Sequence, residues 1–133
     1  PIEFYNKEYS DVEISNDFIE HFFKNSEFKD DLKVYFELTN DDFSETNRYV
    51  FVDFSKEITM KFDSFDWELI KDLYIANSRV RHLHIKVRED SFCWVLKNNM
   101  PFEDLSIGFQ CRIKRVPDIY NVAFWNHFTN VYI

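Results

Sequence analysis

The sequence predicts a single α+β domain, spanning residues 1–133, in which an antiparallel sheet of about six strands packs with about three helices. The chain has the length of one typical domain, and its 45% apolar and 30% charged residues are usual for a folded protein. Apolar residues alternate with period two in several segments and recur with helical spacing in three others. Short links between these segments favour antiparallel pairing, because a parallel pair needs a crossover of about a dozen residues.

From the sequence of the first half of the chain we predict one helix with strands before and after it. Ser15 or Asn16 is placed as the N-cap of a helix that ends near residue 25. One face of this helix carries large apolar residues at helical spacing, namely Phe18, Ile19, Phe22 and Phe23. Strict alternation predicts a half-buried strand at residues 32–38, and the polar residues 39–47 predict a loop. Further strands are predicted at residues 2–5, 12–14, 49–54 and 58–62, the last two joined in a hairpin by residues 55–57.

The second half predicts two more helices. One begins after a cap at Asp63 or Ser64 and ends near residue 76. Residues 79–88 and 105–115 alternate and predict strands, whereas the short apolar run 92–96 fits either a strand or a buried turn of helix. Pro117 and Asp118 predict the start of a C-terminal helix, which carries Tyr120, Phe124, Phe128 and Val131.

Composition excludes several classes of site. Gly108 is the single glycine, so a phosphate-binding P-loop, a dinucleotide-binding turn and a nucleophile elbow cannot form, because each needs several glycines close together. Cys93 and Cys111 are too few for a disulfide framework or a zinc site, and their apolar neighbours predict raised thiol pKa values. No run of about 18 apolar residues and no secretory signal is visible, so we expect a cytoplasmic protein without a cofactor.

The negative charge is concentrated in the N-terminal third. Residues 1–47 hold 13 acidic and 4 basic residues, a net charge of −9, although the whole chain has a net charge of −8. Such a surface steers basic partners. It predicts a small protein-binding inhibitor, immunity-like or anti-defence-like, that occludes a basic face of a nuclease toxin or defence enzyme. The predicted partner-binding residues are Glu27, Asp30, Asp31, Asp41, Asp42 and Glu45. Alternatively, a solvated acidic face only keeps the protein soluble.

Two predicted strands carry the opposite charge. If the strands at residues 79–88 and 105–115 are neighbours, one face bears a basic, anion-binding patch of His82, His84, Lys86, Arg88, Arg112 and Lys114. This patch would suit a nucleic-acid-binding module, which the net charge of −8 disfavours, or it would neutralise the acidic third within the fold. His82 and His84 have the spacing of metal ligands on a strand, but no third ligand is indicated and no metal is predicted.

The remaining interpretation is a small-molecule-binding or enzymatic domain with a pocket lined by aromatic residues, which make up 20% of the chain. An enzyme is less favoured, because the side chains of the adjacent pairs Asp30/Asp31 and Asp41/Asp42 point apart and lie in polar segments that are predicted to be exposed, whereas catalytic carboxylates usually need burial. No catalytic residue is therefore assigned. Large rings at the surface would also suit a homodimer.

Overall fold

The computed structural model describes residues 14–74, 79–102, 105 and 111–129 of the chain. In this part the helices with described bounds are α1 (Asn16–Asn25), α2 (Trp67–Asp72), α3 (Glu89–Lys97) and α4 (Val122–Thr129). The strands are β1 (Leu32–Thr39), β2 (Thr46–Asp53), β3 (Thr59–Lys61), β4 (Arg81–Arg88) and β5 (Cys111–Val116). No described helix is long and apolar enough to cross a lipid bilayer.

The five strands form one mixed sheet with the order β3-β2-β1-β4-β5. β1 pairs antiparallel with β2 but parallel with β4, and both edge strands are antiparallel to their neighbours. The predicted α+β class with one sheet is confirmed, and three of the four described strand pairs are antiparallel as predicted. The pair of β1 and β4 is parallel, so the sheet is mixed, and the described part of the chain has five strands and four helices rather than about six and three. The parallel pair arises because residues 40–80, which contain β2, β3 and α2, form a crossover long enough to bring β4 alongside β1 in the same direction.

Local signals in the sequence placed several elements within three residues of their observed bounds. Ser15 caps α1, because its Oγ accepts a hydrogen bond of 3.1 Å from the backbone N–H of Phe18. β1 and the hairpin of β2 and β3 coincide with predicted strands, and the apolar run 92–96 lies in helix α3. Of the two predicted N-terminal strands, residues 2–5 and 12–13 lie outside the described residues, and Ile14 is in no strand.

The start of α2 differs from the prediction. Asp66, rather than Asp63 or Ser64, is its N-cap, because the Asp66 carboxylate accepts from the backbone N–H groups of Glu68 and Leu69. The helix also ends at Asp72, before the predicted end near residue 76, and is six residues long.

The C-terminal boundaries differ as well. α4 begins at Val122 rather than at Pro117, after a connector in which Nε of Arg115 donates to Asp118 at 3.0 Å. In the predicted strand 105–115, Leu105 is helical and β5 begins at Cys111, while residues 106–110 lie outside the described part of the chain.

The hydrophobic core lies between one face of the sheet and helices α1, α3 and α4, and phenylalanine is its main component. Phe23 of α1 is fully buried, with ring centroids 5.5 Å from Phe36 of β1, 6.5 Å from Phe92 of α3 and 5.6 Å from Phe128 of α4. Such aromatic pairs contribute about 0.5–1.5 kcal/mol each beyond the burial of their surface. The opposite face of the sheet, called the outer face below, carries polar and aromatic side chains and contains the candidate site.

Candidate functional site

The outer face brings the two basic strands together. β4 and β5 are neighbours, so the condition on which the predicted basic patch depends is met. Lys86 of β4 lies in register between Glu37 of β1 and Arg112 of β5, and His84 lies beside Lys114. Residues that pair across adjacent strands point to the same face of a sheet, so these side chains share the outer face.

Glu37 is the centre of a hydrogen-bonded cluster that joins three strands. Its Oε1 lies 3.1 Å from Nε2 of His84 on β4, and its Oε2 accepts a hydrogen bond of 2.5 Å from Oγ1 of Thr46 on β2. Nζ of Lys86 lies 3.8 Å from the same Oε2. Burial raises the pKa of Glu37, but the hydrogen bonds from Thr46 and His84 outweigh that effect and leave the pKa below its ordinary value. Glu37 is therefore ionised at neutral pH.

His84 is buried, with only 5% of its surface exposed. Burial lowers the pKa of His84, the Glu37 carboxylate opposes this shift, and the charges of Lys114 and Lys86 reinforce it. Because an ionised carboxylate only accepts, we assign the proton of the neutral imidazole to Nε2, which donates to Glu37 and leaves a lone pair on Nδ1. This buried Nδ1 has no hydrogen-bond partner among the described residues, an arrangement that costs about 1–3 kcal/mol of folded-state stability.

Aromatic rings cover part of the outer face. Trp67, at the start of α2, stacks on His84 at a centroid distance of 5.2 Å. Phe65 contacts His84 edge-on at 5.9 Å and Tyr35 at 5.3 Å. The Tyr35 hydroxyl lies 2.9 Å from Nδ1 of His82, and burial raises the pKa of Tyr35 to about 12. The aromatic cover therefore shields His84 from water and fixes the orientation of its ring.

Beside this cover the outer face opens into a cleft of about 330 Å³, called the outer cleft below. Strands β1, β4 and β5 contribute residues to it, and the turn before α2 together with the first residues of α2 contributes the rest. The lining combines three carboxylates, three cations, one imidazole and two aromatic rings, namely Glu37, Asp66, Glu68, Lys86, Arg112, Lys114, His84, Phe65 and Trp67.

The carboxylates of the outer cleft all bond to other groups of the protein, whereas two of its cations have no acidic partner among the described residues. Asp66 caps α2, and Glu68 forms an ion pair of 3.6 Å with Lys71. Arg112 and Lys114 are exposed, and within the described ranges neither has a carboxylate within 4 Å. The guanidinium of Arg112 instead lies 5.4 Å from the centroid of the Phe43 ring. The outer cleft thus presents two positive charges that have no acidic partner in the described part of the chain.

Two of the predicted anion-binding residues lie outside the outer cleft. His82 faces Tyr35, while Arg88 is held by Asp90 at 2.6 Å and by Asp41 at 3.2 Å. Since His84 bonds to Glu37 instead, the two histidines take different partners and do not converge on one ion. The other four predicted residues all line the outer cleft, namely His84, Lys86, Arg112 and Lys114.

Neither Glu37 nor Trp67 was among the site residues predicted from the sequence. The alternation of residues 32–38 places Glu37 on the polar face of its strand, and this is the signal that could have found it. Trp67 is buried against the outer face of the sheet, where its ring stacks on His84.

The six acidic residues predicted to bind a partner lie in two groups at opposite ends of β1. Three precede the strand and three follow it: Glu27, Asp30 and Asp31, then Asp41, Asp42 and Glu45. An eight-residue strand spans about 26 Å, which separates the two groups. Asp30 forms an ion pair with Arg81, and Asp41 forms one with Arg88, so two of the six are neutralised within the fold. A role of these residues in partner binding stays a prediction.

The second acidic group contributes to a larger acidic surface. Asp41 and Asp42 line an open cleft of about 510 Å³ together with Glu89 and Asp90 from the start of α3, and we call it the acidic cleft. Glu89 and Asp90 were not assigned to a site from the sequence, because they lie far from Asp41 along the chain. Arg48 pairs with Glu89 at 2.9 Å and offsets part of the charge.

The structure also describes a cleft of about 440 Å³ on the helical side of the sheet, lined by Phe22, Asn25, Ser26, Asn99, Met100, His127 and Phe128. It is the feature nearest to the predicted aromatic-lined pocket. Nε2 of His127 lies 2.9 Å from the backbone oxygen of Ser26, so this histidine already has a structural partner.

Metal-ligating and thiol groups give no further site among the described residues. In that part of the chain no group of three or more His, Cys, Asp or Glu side chains could hold a metal ion. Burial raises the pKa of both the Cys93 and the Cys111 thiol to about 11, as their apolar neighbours in the sequence predict.

The chain is similar to part of a known enzyme. It is 52% identical over 44 residues to the cytidine monophosphate-N-acetylneuraminic acid hydroxylase of Sus scrofa, a match that covers 33% of this chain and 10% of the hydroxylase. It is 43% identical over 61 residues to the hydroxylase of Macaca mulatta and to the inactive hydroxylase of Homo sapiens. Those matches cover 43% of this chain and 10% and 12% of the two proteins.

The chain therefore spans about a tenth of the length of the curated relatives it matches. No model of a protein family matches it, and no solved structure matches it.

Proposed function

We propose that this chain is a binding domain of a longer protein similar to cytidine monophosphate-N-acetylneuraminic acid hydroxylase. The observation that supports this proposal is the identity of 43% to 52% over 61 and 44 residues. Because the matches cover about a tenth of each hydroxylase, hydroxylation of the sugar nucleotide is proposed for the longer protein and not for these 133 residues alone.

A binding role is the one that the geometry of the outer cleft supports best. Glu37, which accepts a hydrogen bond from Thr46, holds His84 in a fixed orientation, and Trp67 keeps water from the imidazole ring. Such a rigid lining suits recognition, because little conformational entropy is lost when a ligand binds to groups that are already ordered.

The test is the size and activity of the native polypeptide. An antibody against the recombinant chain is used to precipitate its antigen from the source organism, and the product is analysed by mass spectrometry and by turnover of cytidine monophosphate-N-acetylneuraminic acid. We expect a polypeptide several times heavier than the 16.3 kDa of this chain, with hydroxylase activity in the precipitate. Preincubation of the antibody with recombinant chain is the control. A free protein of 16.3 kDa without such activity would refute the proposal.

A second candidate is the protein-binding inhibitor expected from the charge distribution. The acidic cleft favours it, because Asp41, Asp42, Glu89 and Asp90 bring four carboxylates to one open surface. Arg48 and Arg88 pair with three of them but supply only two positive charges, so the surface keeps a negative charge that suits a basic protein. In this version the acidic group that precedes β1 takes no part in docking, because it lies at the other end of the strand.

The second candidate is tested with a basic partner captured at low salt. Charge reversal in Asp41→Lys/Asp42→Lys is expected to slow association at least about tenfold, because electrostatic steering raises on-rates by about 10–10³-fold. The matched control is Glu27→Lys/Asp31→Lys, which changes the net charge equally at the opposite end of β1 and leaves the acidic cleft intact. Equal on-rates for the two double variants would rule out docking at the acidic cleft.

A further inference from the structure

We propose that Lys86, Arg112 and Lys114 form a site in the outer cleft for an oxyanion, the phosphate or carboxylate group of a small hydroxyl-bearing ligand. The site goes beyond the proposed function, because it rests on the residues of the outer cleft and not on the similarity to the hydroxylases.

The first argument is the arrangement of the cations. Arg112 and Lys114 are two positions apart on β5, so they share a face with their Cα atoms about 6–7 Å apart. Lys86 is the register partner of Arg112 on the adjacent strand. Like charges directly opposite each other on neighbouring strands destabilise a sheet. A bound anion would remove this repulsion, and it would gain charge-assisted hydrogen bonds from donors that are already in place.

The second argument is that the local carboxylates do not satisfy these cations. Both oxygens of Glu37 are occupied, Oε1 by His84 and Oε2 by Thr46, and Lys86 lies 3.8 Å from Oε2, beyond hydrogen-bond distance. Asp66 is used as a helix cap. With respect to the residues that the structure describes, the positive charge of Arg112 and Lys114 therefore remains available to a ligand.

The third argument concerns the class of ligand. Asp66 and Glu68 line the same cleft. Besides capping α2 and pairing with Lys71, their carboxylates have further lone pairs that can accept hydrogen bonds from hydroxyl groups, while their charge repels additional phosphates. The net charge of −8 also opposes a polyanion such as nucleic acid. These features together favour a small ligand that carries one or two acidic groups beside hydroxyl groups.

His84 gives this site a spectroscopic signature. Its Nδ1 is buried without a hydrogen-bond partner in the described structure, and its ring lines the outer cleft. The charged groups that face it are Glu37 from β1, Lys86 from its own strand and Lys114 from β5, with Asp66 and Glu68 across the cleft. An anion bound between Lys86 and Lys114 offsets their effect on the imidazole, so the His84 ring resonances should shift as the site fills.

The experiment is an NMR titration of the isotopically labelled chain at constant ionic strength. The probes are inorganic phosphate, acetate and cytidine monophosphate-N-acetylneuraminic acid, each added separately. We expect saturable shifts of the Arg112 and Lys114 amides and of the His84 ring. The variant Arg112→Ala/Lys114→Ala should weaken binding at least about tenfold. The control Lys56→Ala/Lys97→Ala removes the same charge from exposed positions outside the outer cleft and should leave affinity within about twofold.

The possible results distinguish failure of the oxyanion site from failure of the proposed function. Absence of saturable shifts with all three probes, or equal weakening in both double variants, would overturn the oxyanion site. Binding of phosphate or acetate without binding of the sugar nucleotide would support the site while removing support for a sugar-nucleotide ligand. Arg112 and Lys114 are exposed on an edge strand, so circular dichroism is expected to show that the double variant is folded.

Discussion

Nε2 of His84 lies 3.1 Å from Oε1 of Glu37, and the two residues join β4 to β1 across the parallel pair at the centre of the sheet. Because the hydrogen bond runs from a neutral imidazole to an ionised carboxylate, it belongs to the stronger, charge-assisted class that contributes about 1.5–3 kcal/mol. This hydrogen bond links the two strands on the side of the sheet opposite the phenylalanine core.

The stability of the protein is expected to decrease as the pH falls from about 7 to about 5. Burial lowers the pKa of both His84 and His82 below the ordinary value of 6.5, so over this range the unfolded chain binds more protons than the folded one. Glu37 adds a loss at lower pH, because its lowered pKa stabilises the fold above 4.5 and this contribution disappears as it is protonated. Urea midpoints at several pH values measure the effect.

The variant His84→Asn serves as the control for this pH dependence. Removing the imidazole should reduce the difference in urea midpoint between about pH 7 and pH 5, whatever effect the substitution has on stability at pH 7. A wild-type midpoint that stays constant or rises as the pH falls would contradict the assignment of buried, neutral histidines.

Phe23→Ala is expected to lower the free energy of unfolding by about 3–5 kcal/mol, because it leaves a cavity between α1, β1, α3 and α4. Phe18→Ala on the same helix is the matched control, since Phe18 is 40% exposed and its loss should change stability by less than about 1 kcal/mol. Chemical denaturation of both variants gives the comparison. Similar losses for the two would mean that the core is not centred on Phe23.

Arg48→Ala is expected to cost about 2 kcal/mol and to loosen the start of α1. The Arg48 guanidinium donates to Glu89 at 2.9 Å, to the backbone oxygen of Ile14 at 2.9 Å and to Asn16 at 3.0 Å, so it anchors that start to α3. Hydrogen exchange of the α1 amides should accelerate in the variant. Lys71→Ala, which breaks the exposed pair with Glu68, should cost less than about 1 kcal/mol and leave the α1 amides unchanged.

Both cysteines are expected to react slowly with iodoacetamide in the folded protein. A thiol pKa of about 11 leaves roughly 0.1% thiolate at pH 8, about a hundredfold less than the ordinary value of 9.0 gives. Mass spectrometry of labelling with and without urea measures the difference. Labelling at the same rate in both conditions would show that Cys93 and Cys111 are accessible and unperturbed.

Structural features that depend on neighbouring residues could be predicted from the sequence, whereas features that depend on residues distant along the chain could not. The Ser15 cap and the alternation of β1 are set by neighbouring residues, and both were predicted. The parallel pairing of β1 with β4 begins with Leu32 beside Arg81, and no local pattern encodes that pairing. The same holds for the candidate site, since the basic residues could be selected by type but their contact with Glu37 required the fold.

The parallel pairing also has a consequence for synthesis on the ribosome. Arg81 follows Thr39 by roughly 40 positions. Because synthesis proceeds at about 5–20 residues per second, one edge of β1 stays unpaired for about 2–8 s until β4 begins to be synthesised. During that time an apolar strand with an unpaired edge is exposed to other nascent chains, which is a hazard for aggregation. The acidic residues that flank β1, such as Asp31 and Asp42, would oppose such pairing, because their charge repels a second copy of the strand.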